Sequence, residues 1–154
     1  MPEDKRLVIG ADHAGFDLKE GLKPLLHRIG WTVEDVGAFS SDAVDYPDVA
    51  AEVARRVSTG TFPRGVLICG SGIGMSIAAN RFPNVRAALC RDAETARLSR
   101  LHNNANILVL AGRRTDLKTA TEIAEVWLQT PFEGGRHQRR LEKIVNIEES
   151  LKRS

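Results

Sequence analysis

The chain has 154 residues, 42% of them hydrophobic and 27% charged, with a net charge of +2, an ordinary globular composition long enough to bury a core without cross-links. So small a net charge gives no reason to invoke nucleic acid or an anionic membrane, and no apolar run approaches the ~20 residues of a membrane span. Cys69 and Cys90 make neither a disulfide framework nor a zinc site, and with no charged-then-apolar leader at the start a cytoplasmic protein is expected.

Residues 7–10 (Leu-Val-Ile-Gly) predict a buried strand that ends at Ala11-Asp12-His13-Ala14-Gly15. Apolar residues at Phe16, Leu18, Leu22, Leu25, Leu26 and Ile29 then recur at helical spacing, and Gly30 stops the helix. Residues 31–36 predict a second strand. Residues 37–47 form a loop rich in Ser, Asp and Gly that carries Tyr46, the only tyrosine. Val49, Ala50, Val53, Ala54 and Val57 make the inner face of a second helix closed by Gly60. Residues 65–69 predict a third strand, followed by Gly70, Gly72 and Gly74 at alternate positions and a helix of small residues.

A fourth strand is expected over 85–90, and Asp92 is the expected N-cap of a helix over 93–101. His102-Asn103-Asn104-Ala105 leads into a fifth strand at 106–110. Asp116 precedes an amphipathic helix with Leu117, Ala120, Ile123, Ala124 and Trp127 inward, ended by Pro131. After Gly134-Gly135 a last helix runs from about 137 to 152. Cys90 is read as a buried strand thiol, and Trp31, Trp127 and the phenylalanines as core or interface.

Short apolar strands alternating with helices imply an α/β fold, a mostly parallel five-stranded sheet covered on both faces in one domain over 1–154. The last helix differs from the others. It carries many charges and a thin apolar row of Leu141, Ile144, Ile147 and Leu151, better suited to a neighbouring subunit than to the sheet. A dimer is therefore expected.

Ligands bind beyond the carboxyl ends of the strands in open α/β sheets. That rule gathers Asp12 and His13 after strand one, residues 69–74 after strand three, Cys90-Arg91 after strand four and Arg113 after strand five. The small residues flanking Asp12-His13 allow close approach of a ligand. His102 lies at the other, amino end, and acts with Cys69 most easily across a subunit interface. A histidine that simply complements the helix dipole is the alternative, and the residues alone leave both open. Arg136 and Arg140 share a helical face, and paired guanidiniums suit a phosphate, with a solvated basic face as the alternative. Glu142, Glu148 and Glu149 interleave with the basic residues there and no aromatic platform is present, which argues against nucleic acid.

The loop after strand three presents successive backbone N–H groups to an anion at the start of a helix, with a thiol at the point of turning. Gly70-x-Gly72-x-Gly74 has the wrong spacing and follows the wrong strand for a dinucleotide site, and a P-loop lysine is absent. Met75 stands where a cysteine-dependent phosphatase needs an arginine. A nucleophilic dyad of Cys69 with His13 or His102 stays open. Proton transfer fits better. A thiolate could remove a proton from the carbon next to a carbonyl, while Ser71 and the amides of 70–74 stabilise the enediolate oxygen. Such chemistry requires no metal, and none of the metal-ligand spacings is present.

Several stretches together resemble the type B ribose-5-phosphate isomerases, a group that includes galactose-6-phosphate isomerase subunits. They are Gly10-Ala11-Asp12-His13-Ala14-Gly15, Asp45-Tyr46-Pro47, the run from Cys69-Gly70-Ser71-Gly72-Ile73-Gly74 to Asn80, His102-Asn103, and Phe132-Glu133-Gly134-Gly135-Arg136-His137. The resemblance covers about 7–147. It implies a Rossmann-like three-layer αβα sandwich and a homodimer, or a dimer of dimers, with sites built from both subunits. It implies interconversion of ribose 5-phosphate and ribulose 5-phosphate through a cis-enediolate, without a cofactor. Cys69 would be the base moving a proton between C1 and C2, and His102, assisted by Asp12, would open the sugar ring. Gly70, Ser71, Gly72, Ile73, Gly74 and Asn103 would hold the enediolate and the hydroxyls, with Tyr46 also on the substrate. His13, Arg113, Arg136 and Arg140 would surround the phosphate.

Many members of the group have threonine at the position of Ser71, which keeps the hydroxyl. Some use a glutamate further along the chain as the base, but residues 75–81 contain no acid here, so Cys69 is the expected base. Allose 6-phosphate, galactose 6-phosphate or a tetrose phosphate would suit the same chemistry, and a non-catalytic phosphosugar-binding protein would suit the same scaffold.

Overall fold

The structure is a computed structural model that describes residues 2–152. In chain order the elements are β1 (Arg6–Ala11), α1 (Phe16–Arg28), β2 (Thr32–Asp35), α2 (Tyr46–Ser58), β3 (Arg64–Cys69) and α3 (Ile73–Ala79). They continue with β4 (Ala87–Leu89), α4 (Ala93–Leu101), β5 (Ile107–Ala111), α5 (Leu117–Gln129) and α6 (Arg136–Lys152). All strand pairs are parallel, in the order β2-β1-β3-β5-β4. No helix among the described residues is long and apolar enough to cross a membrane.

The strands alternate their side chains between two cores, as a sheet covered on both faces requires. Leu7, Ile9, Val66, Ile68, Leu108 and Leu110 pack with α1 and α5 around Trp127. Val8, Leu67, Cys69, Ile107 and Val109 pack on the other face with α2 and α3 around Val53 and Met75. The result is the expected three-layer αβα sandwich. From β1 the chain turns to one side, to β2, whereas from β3 it turns to the other, to β4 and β5. The crevice between the carboxyl ends of β1 and β3 is therefore the topological switch point, where such sheets bind ligands.

The element boundaries differ from expectation in physically legible ways. α2 begins at Tyr46 rather than after Pro47, because a proline in the first turn removes an N–H that has no helical partner there anyway. β4 is a short edge strand whose free side is capped by one side chain. Asn80 donates to the Ala87 carbonyl at 3.0 Å and accepts from the Ala87 N–H at 2.8 Å, replacing a further strand. Trp31 and Trp127 are core residues as expected. Of the phenylalanines, Phe62 and Phe82 are partly buried against the core on the α2–α3 face, whereas Phe39 is 75% exposed.

One feature with no sequence signal is Lys19 of α1, which is 0% exposed. Its ammonium donates to both oxygens of Asp35, at 2.7 and 2.8 Å, and to the Ala38 carbonyl. Lys23 reaches the same carboxylate at 2.9 Å. The cluster ties α1 to the end of β2 and to the loop whose Gly37 carbonyl accepts the Ala11 N–H at 2.7 Å. It thus holds the chain on which the next residue, Asp12, is placed.

Candidate active site

At the switch point, two loops are pressed together with no room between them. The Asp12 N–H donates to the Ile68 carbonyl at 3.1 Å, and the Asp12 carboxylate accepts the Gly15 N–H at 3.1 Å. A Cβ on Gly15 would lie 2.5 Å from the Ile68 oxygen, and one on Gly112 would lie 2.7 Å from the Ala14 oxygen. Only glycines let the loop after β1 sit so close to β3 and β5. His13 follows, its Nδ1 accepting the Val44 N–H at 3.3 Å.

Cys69 ends β3 and is 4% exposed. Its Sγ accepts the N–H of Gly72 at 3.2 Å, and Gly72 takes the left-handed conformation (φ 78°) that turns this amide back on the thiol. Ser71 is exposed, its Oγ accepting the Ile73 N–H at 3.2 Å. Tyr46 at the start of α2 lies directly over Gly74, where a Cβ would come within 2.5 Å of the ring. Arg113 lies against Gly70, its backbone N–H donating to the Gly70 carbonyl at 3.1 Å, while Gly112 donates to the Cys69 carbonyl at 2.7 Å. Asp12, His13, Tyr46, Cys69, the 70–74 loop and Arg113 thus converge on one rim. A cleft of about 450 Å³ opens beside them, lined by Ser71, Ile73, Arg91, Arg114 and Thr115. Arg114 and Thr115 were not singled out from the sequence, although a second arginine directly after Arg113 at a strand end is a signal of the same kind.

Cys90 is a different thiol. It is fully buried, and burial pushes it up to about 11, against a weak contact from Ser99 that lowers it. Burial therefore favours its protonated form at neutral pH.

The remaining predicted residues lie elsewhere. His102 is the C-cap of α4, before β5. Register places Ile107 beside Gly65 and Ala111 beside Cys69, so His102 and Cys69 are at opposite ends of the sheet, about 13 Å or more apart along the strands. Around His102 stand Asn103, Glu133, Arg136, His137 and Arg140. Glu133 is anchored by its N–H to the Leu101 carbonyl at 3.0 Å. The His102 and His137 rings stack at 4.3 Å between centroids and 14° between planes. Glu133 sets one carboxylate oxygen 3.9 Å from His102 Nε2 and the other 4.0 Å from His137 Nε2. Burial holds His137 below the ordinary imidazole range, helped by His102, Arg136 and Arg140 and opposed by Glu133. Arg136 and Arg140 are exposed and make no ion pair among the described residues.

The donor atoms of His102, Glu133 and His137 all lie within 4.8 Å of one another, a grouping that sequence spacing does not reveal. Near-parallel rings aim their lone pairs side by side rather than at one point, so sharing an ion would require the stack to splay.

Of the predicted site residues, the structure therefore assembles one set at the carboxyl end of the sheet and a second at the amino end. No chain unites them. Between α6 and the edge strand β4 runs an apolar groove of about 460 Å³ lined by residues that include Val85, Ala87, Leu141, Ile144 and Ile147.

A model of the Ribose/Galactose Isomerase family matches residues 7–144. Ribose-5-phosphate isomerase B of Escherichia coli is 44% identical over 145 residues, covering 94% of this chain and 97% of that protein. The D-erythrulose-4-phosphate isomerase of Pectobacterium atrosepticum is 40% identical over 150 residues, covering 95% and 97%. The structure of ribose-5-phosphate isomerase B from Mycoplasma genitalium with bound ribulose-5-phosphate matches with a TM-score of 0.90 at 39% identity, covering 94% of this chain and 96% of that one.

Proposed function

The chain belongs to the ribose/galactose isomerase family and is a sugar-phosphate isomerase, and from that premise we propose that it interconverts ribose 5-phosphate and ribulose 5-phosphate by thiol-mediated proton transfer. The observation that carries this reading is the setting of Cys69. Its sulfur lies at the switch point, 3.2 Å from an amide of a glycine loop and next to a cleft, where a substrate carbonyl can meet both.

The steps follow from that geometry. As a thiolate, Cys69 takes the proton from C2 of the open aldose. The C–H electron pair forms the C1–C2 double bond of a cis-enediolate, and charge moves onto the carbonyl oxygen. Ser71 and the amides of 70–74 stabilise that oxygen, because donors aimed at developing charge act most strongly away from bulk water. A proton passes from the O2 hydroxyl to O1, the thiol returns its proton to C1, and the electron pair left on O2 forms the C2 carbonyl of the ketose. His13 and Arg113 on one subunit, with Arg136 and Arg140 on the other, surround the phosphate. Tyr46 and Asn103 hold the hydroxyls.

Ribose 5-phosphate rests as a furanose. Opening it breaks the C1–O4 bond, leaves the electron pair on O4, which takes up a proton, and turns the C1 hydroxyl into the aldehyde as it gives one up. His102 and Asp12 carry those two protons. They sit at opposite ends of the sheet, so we place the working site across a homodimer, with the carboxyl end of one chain's sheet meeting the amino end of the other's. The exposed Ile144, Val145 and Ile147 of α6 support this assembly.

A second reading, the same chemistry on a tetrose phosphate, has support from the Pectobacterium relative, which is nearly as similar to this chain as the Escherichia coli enzyme. Comparing kcat/KM over ribose 5-phosphate, erythrose 4-phosphate and the six-carbon aldose phosphates decides between them. Ribose 5-phosphate is expected to lead. With that substrate Cys69→Ala abolishes isomerisation while phosphosugar binding, read by a rise in Tm, persists; turnover like wild type in the variant overturns the assignment of the base.

A further inference from the structure

His137 is a buried polar residue with no evident use. It is 5% exposed, and its Nε2 has no hydrogen-bond partner among the described residues. Leaving such an atom unpaired costs stability, so its retention needs a reason. The reason lies in what the ring touches. Among the described residues no hydrogen bond restrains the imidazole of His102, which meets the stacked ring of His137 and the more distant Glu133 carboxylate.

We propose that His137 is a positioning residue for His102, fixing the plane of that imidazole by stacking so that it meets the sugar ring of the partner subunit in the orientation that ring opening requires. The proposal rests on the reading of this chain as a ribose-5-phosphate isomerase with His102 at the furanose.

Three features support it. The stack is close and nearly parallel, at 4.3 Å and 14°, and His137 is itself immobilised by burial within the first turn of α6. Charge is also arranged for the purpose. The groups facing the pair are Glu133 from the preceding loop and Arg136 and Arg140 from α6; burial and the two guanidiniums favour the uncharged His137 ring and outweigh the opposing Glu133 carboxylate. A neutral ring can then carry a protonated neighbour on its face, which two imidazoliums at this distance could not. Finally, the turn that carries His137 also carries Arg136 and Arg140. Capture of the phosphate and placement of His102 therefore depend on one rigid piece of helix.

The test separates ring chemistry from proton transfer. Ribose 5-phosphate must be opened, whereas ribulose 5-phosphate, with O5 esterified, has no ring to open. In deuterium oxide the thiolate can take a proton from C1 of the ketose, exchange it with solvent and return deuterium, with no part for His102. His137→Leu, which fills the slot without a flat ring, is expected to lower kcat for ribose 5-phosphate tenfold to about a hundredfold. Deuterium incorporation at C1 of ribulose 5-phosphate should change less than about twofold, since the exchange step needs no ring opening. His137→Phe, which restores the flat ring, should recover kcat to within about threefold of wild type, if orientation is the whole effect.

If the leucine variant does not fold, as read by thermal melting, His137→Gln takes its place with the same expectation. Equal losses in both assays, no loss in either, or a phenylalanine variant as slow as the leucine one would each overturn the proposal. Failure of the wild-type protein to convert ribose 5-phosphate would instead overturn the isomerase reading, and is recognised before any variant is made.

Discussion

The two thiols show how position decides chemistry. Cys69 ends its strand against an amide, whereas Cys90 directly follows β4 into the core, where burial pushes its thiol up to about 11. Cys90→Ala is accordingly expected to keep full kcat with an unshifted pH profile, and a profile that moved would make Cys90 part of the proton path. Gly72 is the residue whose amide meets the Cys69 thiol. Its φ of 78° is costly for any other residue, and a Cβ there would lie 2.4 Å from Leu89 Cδ1. Gly72→Ala should cost about 1–2 kcal/mol of stability from the backbone alone. By turning the amide off the thiol it should also lower kcat by about a hundredfold; urea unfolding and steady-state kinetics measure the two separately. His137 adds a pH signature. Its folded value lies below the ordinary imidazole value of 6.5, so below that pH the unfolded chain takes up the proton first. Stability therefore falls as pH drops through about 6.5, and His137→Phe should flatten that part of the curve. Residues at strand ends were legible in the sequence because apolar runs stop there and glycines follow. The stack of His102 on His137 was not, since it joins two segments far apart in the chain. The one hint was helical spacing, which puts His137 on the same face as Leu141.

At the level of elements, alternation and turn residues placed every strand and helix, and the misses were local. Pro47 was read as loop because a proline reads as a breaker before its place in a first turn is known. Lys19 was passed over because a lysine on a helix reads as solvent-facing, and only Asp35 brings it inside. That cluster carries its own prediction. Burial raises the Asp35 carboxyl, but hydrogen bonds from Lys19, Lys23 and the Gly37 N–H outweigh it and hold it below the usual 3.8. The stabilisation is therefore whole at neutral pH and is lost as pH falls below about 4, through the folded value. Asp35→Asn leaves the Lys19 ammonium buried without its counter-charge and should cost about 3 kcal/mol, at the low end for a broken buried pair because Asp35 is partly exposed. Chemical denaturation at pH 7 and at pH 3 reads both effects: the variant should lose most at pH 7 and approach wild type at pH 3. A loss equal at both pH values would mean that the pair acts through packing rather than charge.

For the whole molecule, the decisive geometry is that a five-stranded parallel sheet separates its two ends by the length of its strands. Cys69, Asp12 and His13 lie at one end, and His102, Arg136 and Arg140 at the other. Tertiary flexing cannot bring them together, because the residues between are the core itself. A two-fold dimer can, since the interface patch is the same on both copies and each amino end can meet the other copy's carboxyl end. The apolar groove along α6 and β4 lies beside Asn103, so a partner seated there would also approach His102. Subunit mixing tests the arrangement. Cys69→Ala and His102→Asn are each expected to be inactive alone. In a mixed dimer one site then carries both substitutions, and the other carries neither. Half of the dimers formed by random exchange are mixed, so a mixture unfolded and refolded together should regain about one quarter of wild-type activity. If Cys69 and His102 instead served a site within one chain, every site in every dimer would carry one substitution, and no activity would return. Ile147, which is 59% exposed on α6, supplies the complementary result. Ile147→Asp should yield an inactive but folded monomer by light scattering, and an active monomer would overturn the composite site.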